Sequence, residues 1–265
     1  MEKWRYADLS WPEIQEAVDQ EKVVIQPFGS IEGHGPHLPC GVDTYIIEAV
    51  CKSVGEGIPD KVLIMPTIPY GFAIHHMDYP GTINIDSSLL IEVAYCVGKS
   101  LARHGFKKII FANGHGTNNA SLDIASKRVT METESLCALL NWYTMAGNKI
   151  KELRESHFPG GISHAGEMET SEMMYLTPHL VKEELFESNI WESGSDFLWR
   201  DLFPPSPVNF MDVWSRISKN GTMGDPTCAS AEKGKEFHKE AVKQICKFVE
   251  QFRAYKILPR KDHHR

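Results

Sequence analysis

The sequence predicts an α/β fold in which a mostly parallel sheet is covered by helices on both faces. Two observations lead there. Short β-branched runs alternate with longer segments whose apolar residues recur at helical spacing, the pattern of successive right-handed βαβ crossovers. The chain is also long enough, at 265 residues with 42% hydrophobic content, to bury a full core. Its length falls within the range that α/β proteins often occupy as one domain, so residues 1–265 are read as a single unit.

The elements follow in order. Val23-Val24-Ile25 reads as a buried strand that stops at the loop Pro27-Phe28-Gly29, and Thr44 to Val54 carries Ile46, Ile47, Val50 and Val54 at helical spacing. Val62-Leu63-Ile64-Met65 is a second strand. Asp86-Ser87-Ser88 then opens a long helix with Leu89, Val93, Val97 and Leu101 on one face, ended by Gly105. Lys107 to Ala112 is a third strand, followed by a glycine-rich turn, Asn113-Gly114-His115-Gly116, and a helix to about Thr130. Leu136 to Trp142 is a fourth strand. The stretch from Ala229 to Tyr255 is an amphipathic helix whose apolar stripe is Phe237, Ala241, Ile245, Phe248 and Phe252. Two stretches, 147–166 and 189–225, break the pattern; such segments in compact enzymes often form lids or subunit contacts.

A formal net charge of −7 argues against a broad basic surface for nucleic acid or anionic membrane and favours a small neutral or polar substrate. Met1 to Arg5 lacks the apolar core of a signal peptide, and no other stretch is long and apolar enough to span a bilayer, so a cytoplasmic protein is expected. The six cysteines are scattered without a C-x-x-C pair and read as reduced, mostly packing thiols.

Chemistry concentrates in three patches. The loop after the first strand packs Glu32, His34, His37 and Asp43 among Gly and Pro, and carboxylate plus imidazole is the ligand set for zinc, manganese or iron(II). Asp43 also stands where it can cap the next helix. His115 occupies the turn after the third strand, with Asn118 and Asn119 placed to cap a helix. Ser163-His164-Ala165-Gly166-Glu167-Met168-Glu169-Thr170-Ser171 adds one imidazole, two carboxylates and hydroxyls. Open α/β sheets bind ligands at strand ends. A carboxylate shared by two divalent ions there can hold them roughly 3.5–4 Å apart and acidify a water for attack on a carbonyl. An imidazole suits protonation of the leaving nitrogen. His75 and His76 follow the second strand on the same edge and are candidates to touch substrate, whereas His263 and His264 lie in a polar tail.

These blocks, Gly29-Ser30-Ile31-Glu32-Gly33-His34-Gly35-Pro36-His37-Leu38-Pro39, Pro80-Gly81-Thr82, Asn113-Gly114-His115-Gly116, His164 to Ser171 and Gly224-Asp225-Pro226, resemble the creatininase family. The resemblance implies a single-domain three-layer αβα sandwich, assembled as a homohexamer and holding two divalent metals per subunit. It implies that Glu32 and His115 hold one metal, His34 the other, that Asp43 bridges them, and that His164 assists proton transfer. Creatininase itself has a metal-binding glutamate where this chain has Thr117. Glu167 is therefore expected to supply the missing ligand, with Glu169 as the fallback or a supporting catalytic group. Creatininase also places a tryptophan shortly before its catalytic histidine, but Phe158-Pro159-Gly160-Gly161 has none. Trp142 lies near the position of the family's other active-site tryptophan. Trp142 and Thr117 are thus candidates for substrate contact.

The expected reaction is hydrolysis of a cyclic or linear amide of a small molecule by a metal-bound hydroxide. Deformylation of a formamide or cleavage of a carbon–carbon bond in an oxidised inositol-type ring are alternatives on the same site. A serine hydrolase built on Gly161-Ile162-Ser163-His164-Ala165 lacks the strand that a nucleophile elbow needs. A non-enzymatic metal-dependent binding module is the remaining reading.

Overall fold

The computed structural model describes residues 4–264. Met1, Glu2 and Lys3, on which the reading of the N-terminus partly rests, lie outside that range. Helix α1 (Trp11–Asp19) was not among the expected elements; Pro12 sits in its opening turn, where no hydrogen bond is lost. The chain continues through β1 (Val23–Phe28), α2 (Val42–Gly57), β2 (Val62–Ile64), α3 (Ser87–Arg103), β3 (Lys108–Asn113), α4 (Asn119–Glu132) and β4 (Leu136–Asn141). The four strands form one parallel sheet in the order β2-β1-β3-β4.

Side chains alternate between two cores along each central strand. Val23 and Ile25 of β1, with Ile110 and Ala112 of β3, join the core that α2 covers; Val24 and Phe28, with Ile109 and Phe111, join the one covered by α1, α3 and α4. Both faces are therefore buried, which is why these strands read as continuous apolar runs. Each fully buried Val, Ile or Phe contributes roughly 1.5–3 kcal/mol. β1 extends past its expected end and includes Pro27. That residue faces the β2 side beyond the point where β2 stops at Ile64, so its missing N–H leaves no ladder bond unmade.

After β4 come α5 (Trp142–Met145), α6 (Gly147–Leu153), α7 (Glu167–Leu176), α8 (Trp214–Ile217) and α9 (Ala231–Ala254). Helix α6 thus occupies part of a stretch expected to be irregular, whereas 189–225 holds only α8 and scattered bridges. α7 and α9 add to the first core, with Phe237, Ala241 and Ile245 buried as the stripe on α9 predicts. Among the described residues all six cysteines are free, and no helix is long and apolar enough to cross a membrane.

On α3 the buried face is Leu90, Ala94, Gly98 and Leu101, one residue round from the expected stripe, and Leu89 is 55% exposed. Small residues mark the contact because α3 packs closely on α4: a Cβ on Gly98 would stand 2.5 Å from Val129 Cγ2. Gly105 follows α3 with φ +103, the left-handed ending expected of it.

The tightest helix contact is between α7 and α9, where a Cβ on Gly234 would lie 2.0 Å from the Ser171 carbonyl oxygen. Gly234→Ala should therefore destabilise by about 1–3 kcal/mol despite the higher helix propensity of Ala. Gly57→Ala, which meets only Cys246 Sγ at 3.8 Å, should be neutral or stabilising. Denaturant titration of the two variants checks this, and equal stability would refute the close-contact account.

Candidate metal centre

Strand order opens a crevice. The chain leaves β1 through α2 on one face of the sheet and leaves β3 through α4 on the other, so the loops after these adjacent strands diverge at their C-terminal ends. The loop after β1 delivers Glu32 and His34 into that gap. Asp43 comes from the second position of α2; Gly41, not Asp43, is the cap residue. The turn after β3 delivers His115, and a Cβ on Gly114 would lie 2.4 Å from the Asp43 carbonyl oxygen, so glycine is what lets the two backbones approach.

Asparagines brace these loops. Asn113 Oδ1 accepts from the His115 N–H at 3.1 Å, and Asn113 Nδ2 donates to the His115 carbonyl at 2.6 Å and to Asn141 Oδ1 at 2.9 Å. Asn118 stands at the N-cap position of α4, but its side chain makes no capping hydrogen bond. It instead donates to the Gly29 carbonyl at 3.0 Å and accepts from the Phe72 N–H at 2.9 Å, joining the loops after all three of the first strands. The third patch reaches the crevice through a left-handed turn at Ala165, φ 53, just before α7. His37 Nε2 fastens that turn, 3.1 Å from the Ala165 carbonyl and 3.2 Å from Thr170 Oγ1.

Three carboxylates and four imidazoles meet here, and all seven residues are buried. Asp43 Oδ2 lies 3.1 Å from His115 Nδ1, while Asp43 Oδ1 lies 3.6 Å from His34 Nε2. Glu169 Oε2 is 3.7 Å from His34 Nε2. Glu32 Oε2 is 3.1 Å from His115 Nε2, and Glu32 Oε1 is 3.3 Å from His76 Nε2 and 3.6 Å from His164 Nδ1. Three groupings have the closeness of metal ligands: Glu32, Asp43 and His115; His34, His164 and Glu169; and Glu32, His76 and His164.

The charge balance calls for a cation. Burial pushes Glu32 up to about 7 against the pull of His115 and His34, and burial likewise raises Glu169 to about 7 against His34. Burial opposes ionisation of Asp43 as well, but His34 and His115 outweigh it and hold that carboxyl at about 2. The same contacts, working against burial, lift His34 to about 10 and His115 to about 9. His76 and His164 are pushed well down by burial and by neighbouring imidazoles.

Hydrogen bonding fits metal ligation better than protons. His34 Nδ1 faces the Glu32 carbonyl at 3.1 Å and His164 Nε2 faces the Gly33 carbonyl at 2.8 Å, so in each neutral ring the other nitrogen keeps a free lone pair. His115 Nε2 faces the Phe72 carbonyl at 3.1 Å, which turns the Nδ1 lone pair onto Asp43 Oδ2. Glu32 Oε1, His34 Nε2, Asp43 Oδ2 and His76 Nε2 are buried without a hydrogen-bond partner. Orphaned acceptors so close together are expensive unless a cation lies among them. The donor set of carboxylate oxygen and imidazole nitrogen therefore fits divalent zinc, manganese or iron.

The remaining candidates divide. Glu167, expected as the fifth ligand, is turned away: it accepts from Lys233 Nζ at 2.7 Å and from the Glu155 and Ser156 N–H groups. Glu169 is the carboxylate that enters the cage. Two residues along a helix differ by roughly 200° in direction, so one helix cannot present both. Trp142 is also elsewhere, packed in the hydrophobic core beside Tyr143. Thr117 Oγ1 donates to the Phe72 carbonyl at 2.6 Å and touches His115 Nε2, bracing the ring. His75 lies beside the cage, its ring 4.1 Å from that of His76 and 6.1 Å from that of His115.

Trp214 was not foreseen. Its ring lies 4.3 Å from His76, 4.6 Å from His164 and 5.4 Å from His75, so it covers the imidazole side of the cage. The only sequence signal was its place in a long, aromatic-rich irregular segment.

A family profile described as creatinine amidohydrolase matches residues 7–249. The mycofactocin precursor peptide peptidase of Mycobacterium tuberculosis is 31% identical over 220 residues, 80% of this chain and 78% of that one. The creatinine amidohydrolase of Pseudomonas putida is 29% identical over 254 residues, 90% of this chain and 91% of that one. The 3-dehydro-scyllo-inosose hydrolase of Thermotoga maritima is 28% identical over 272 residues, covering 96% of this chain and 86% of that one. A solved creatininase superposes with a TM-score of 0.81 at 26% identity, covering 96% of this chain and 99% of that one. Solved forms named for Mn and for a Zn-Zn type both match at 27% identity, with TM-scores of 0.79 and 0.78, covering 94% and 93% of this chain and 98% and 97% of theirs. With this fold and a buried cage of carboxylates and imidazoles at the strand ends, the chain belongs to the creatininase family of hydrolases.

Proposed function

We propose that the protein depends on two divalent ions, zinc, manganese or iron, and hydrolyses a cyclic or linear amide C–N bond of a small polar molecule. The observation that carries this reading is Asp43, whose two oxygens face different imidazoles, His115 at 3.1 Å and His34 at 3.6 Å. A carboxylate so placed is suited to bridge two ions. Glu32 and His115 would hold one with Asp43, and His34 and Glu169 would hold the other. Bound ions would supply Lewis acidity toward the scissile carbonyl and the attacking water.

The protein's own groups divide the remaining work. His164 keeps an Nδ1 lone pair because Nε2 is committed to the Gly33 carbonyl, so Nδ1 is the atom placed to take a proton from the attacking water and pass it to the leaving nitrogen. Trp214 excludes water from that side. His75, His76 and Thr117 would line the substrate's approach. In this reading residues 1–265 act as one hydrolase domain within a homohexamer.

The relatives' names span a creatinine amide, a peptide and an inosose ring. Creatinine is a poor fit here. The stretch Phe158-Pro159-Gly160-Gly161 before His164 has no tryptophan, and within it Gly160 has φ +112 and a Cβ there would stand 2.6 Å from Ile190 Cγ2.

Elemental analysis of purified protein should find two divalent ions per chain, with Asp43→Ala losing both and Glu169→Gln losing one. Glu167→Gln should keep both and instead lower stability by about 3 kcal/mol through loss of its buried pair with Lys233. A wild type free of divalent metal would sink the reading, and metal loss in Glu167→Gln would restore Glu167 as the ligand.

His164→Asn should keep its metals and lose roughly 10²–10⁴-fold in kcat. The assay is a screen of lactams, formamides and cyclic ketones, scored for amine release and ring opening. Ring opening of a ketone without any amine release would move the reaction to a C–C bond.

A further inference from the structure

Arg200 is a charge that the hydrolytic reading leaves without a task. Among the described residues its guanidinium has no hydrogen bond and no ion pair, and its Nη2 is buried without a partner. Its Cζ lies 5.9 Å from the ring centroids of both Trp191 and Phe210. Asp212, the acid whose charge reaches it, is already engaged by Arg216 at 3.0 Å and by the Val213 N–H at 2.7 Å.

The residue is fixed beside the cage. Asp201 accepts from the Gly160 N–H at 2.8 Å and from Arg154 at 2.6 and 3.0 Å, and the Leu202 N–H donates to the Ile162 carbonyl at 2.9 Å. Those bonds bind residues 200–202 to the strip 160–164 that ends in His164. The charge of Arg200 also reaches His75. His75 contacts Trp214, whose Nε1 is a second buried donor without an acceptor.

A buried donor left unpaired is costly, and a guanidinium is matched best by a planar anion that takes two of its N–H groups. We propose that Arg200 recognises a carboxylate on the substrate, so that the preferred substrates are small amides bearing a carboxylate near the scissile bond. The inference rests on the cage being the catalytic centre. The Trp191 and Phe210 rings, each 5.9 Å from Cζ, keep the contact dry.

The test uses zinc-loaded protein and two matched probe pairs, N-formylglycine against N-formylglycinamide and 2-pyrrolidone-5-carboxylate against its carboxamide. Calorimetric titration should show each carboxylate binding wild type at least tenfold tighter than its neutral partner. Arg200→Met should erase that preference with metal content unchanged, and Arg200→Lys should restore part of it. An equal preference in wild type and Arg200→Met overturns the proposal. So does a change in oligomer mass on Arg200→Met, by sedimentation, with the preference intact. Loss of the preference on Arg200→Met in a protein that hydrolyses no amide would uphold Arg200 and remove the amide reading. Amide hydrolysis indifferent to Arg200→Met would do the reverse.

Discussion

Three carboxylates buried in one small volume, with neither lysine nor arginine among them, are the constraint on which the site depends. Glu32, Asp43 and Glu169 share that volume with His34, His76, His115 and His164. Without a compensating cation the imidazoles must take up protons, and His34 and His115 are indeed held well above the ordinary histidine range. Yet the carbonyls of Glu32, Gly33 and Phe72 each claim one nitrogen of an imidazole and aim the other at the carboxylates. That arrangement suits ions better than protons, because it presents lone pairs.

The rest of the fold serves to hold those lone pairs in place. Diverging connections from β1 and β3 open the gap, and Asn113 and Asn118 tie the loops that line it. Lys233 performs the matching task at the far end. Its pairing with Glu167, within the close contact of α7 and α9, sets the rotation of α7 that carries Glu169 inward. A buried ion pair is weak evidence for stability in itself. Here its effect is positional, since one face of α7 is anchored to α9 and the opposite face carries Glu169.

The segment 189–225 sets what reaches the site. It supplies Trp214 over the imidazoles and Arg200, whose neighbours Asp201 and Leu202 bond to the strip before His164, and Ile190 fills the space next to Gly160. A long irregular connection, free of ladder or helix constraints, can change the walls around a site without disturbing the strands that position it.

Much of this was legible in the residues alone. Periodicity located the four strands and the covering helices α2, α3, α4 and α9, though not α1, because both faces of a parallel sheet must be apolar and a covering helix must carry a stripe. Gly and Pro around Glu32, His34, Asp43 and His115 marked loops able to turn several side chains to one point. Periodicity could not see that α3 buries Ala94 and Gly98 in preference to Val93 and Val97, since close packing selects small residues that a hydrophobic pattern ignores. Composition could not choose between Glu167 and Glu169, two residues apart and chemically alike. Nor could it tell Trp142, which the core absorbs, from Trp214, which a distant segment brings to the cage. Sequence determined which groups were available and where strands end; only the tertiary structure decided their direction, because helix rotation and loop path are set by contacts far away along the chain.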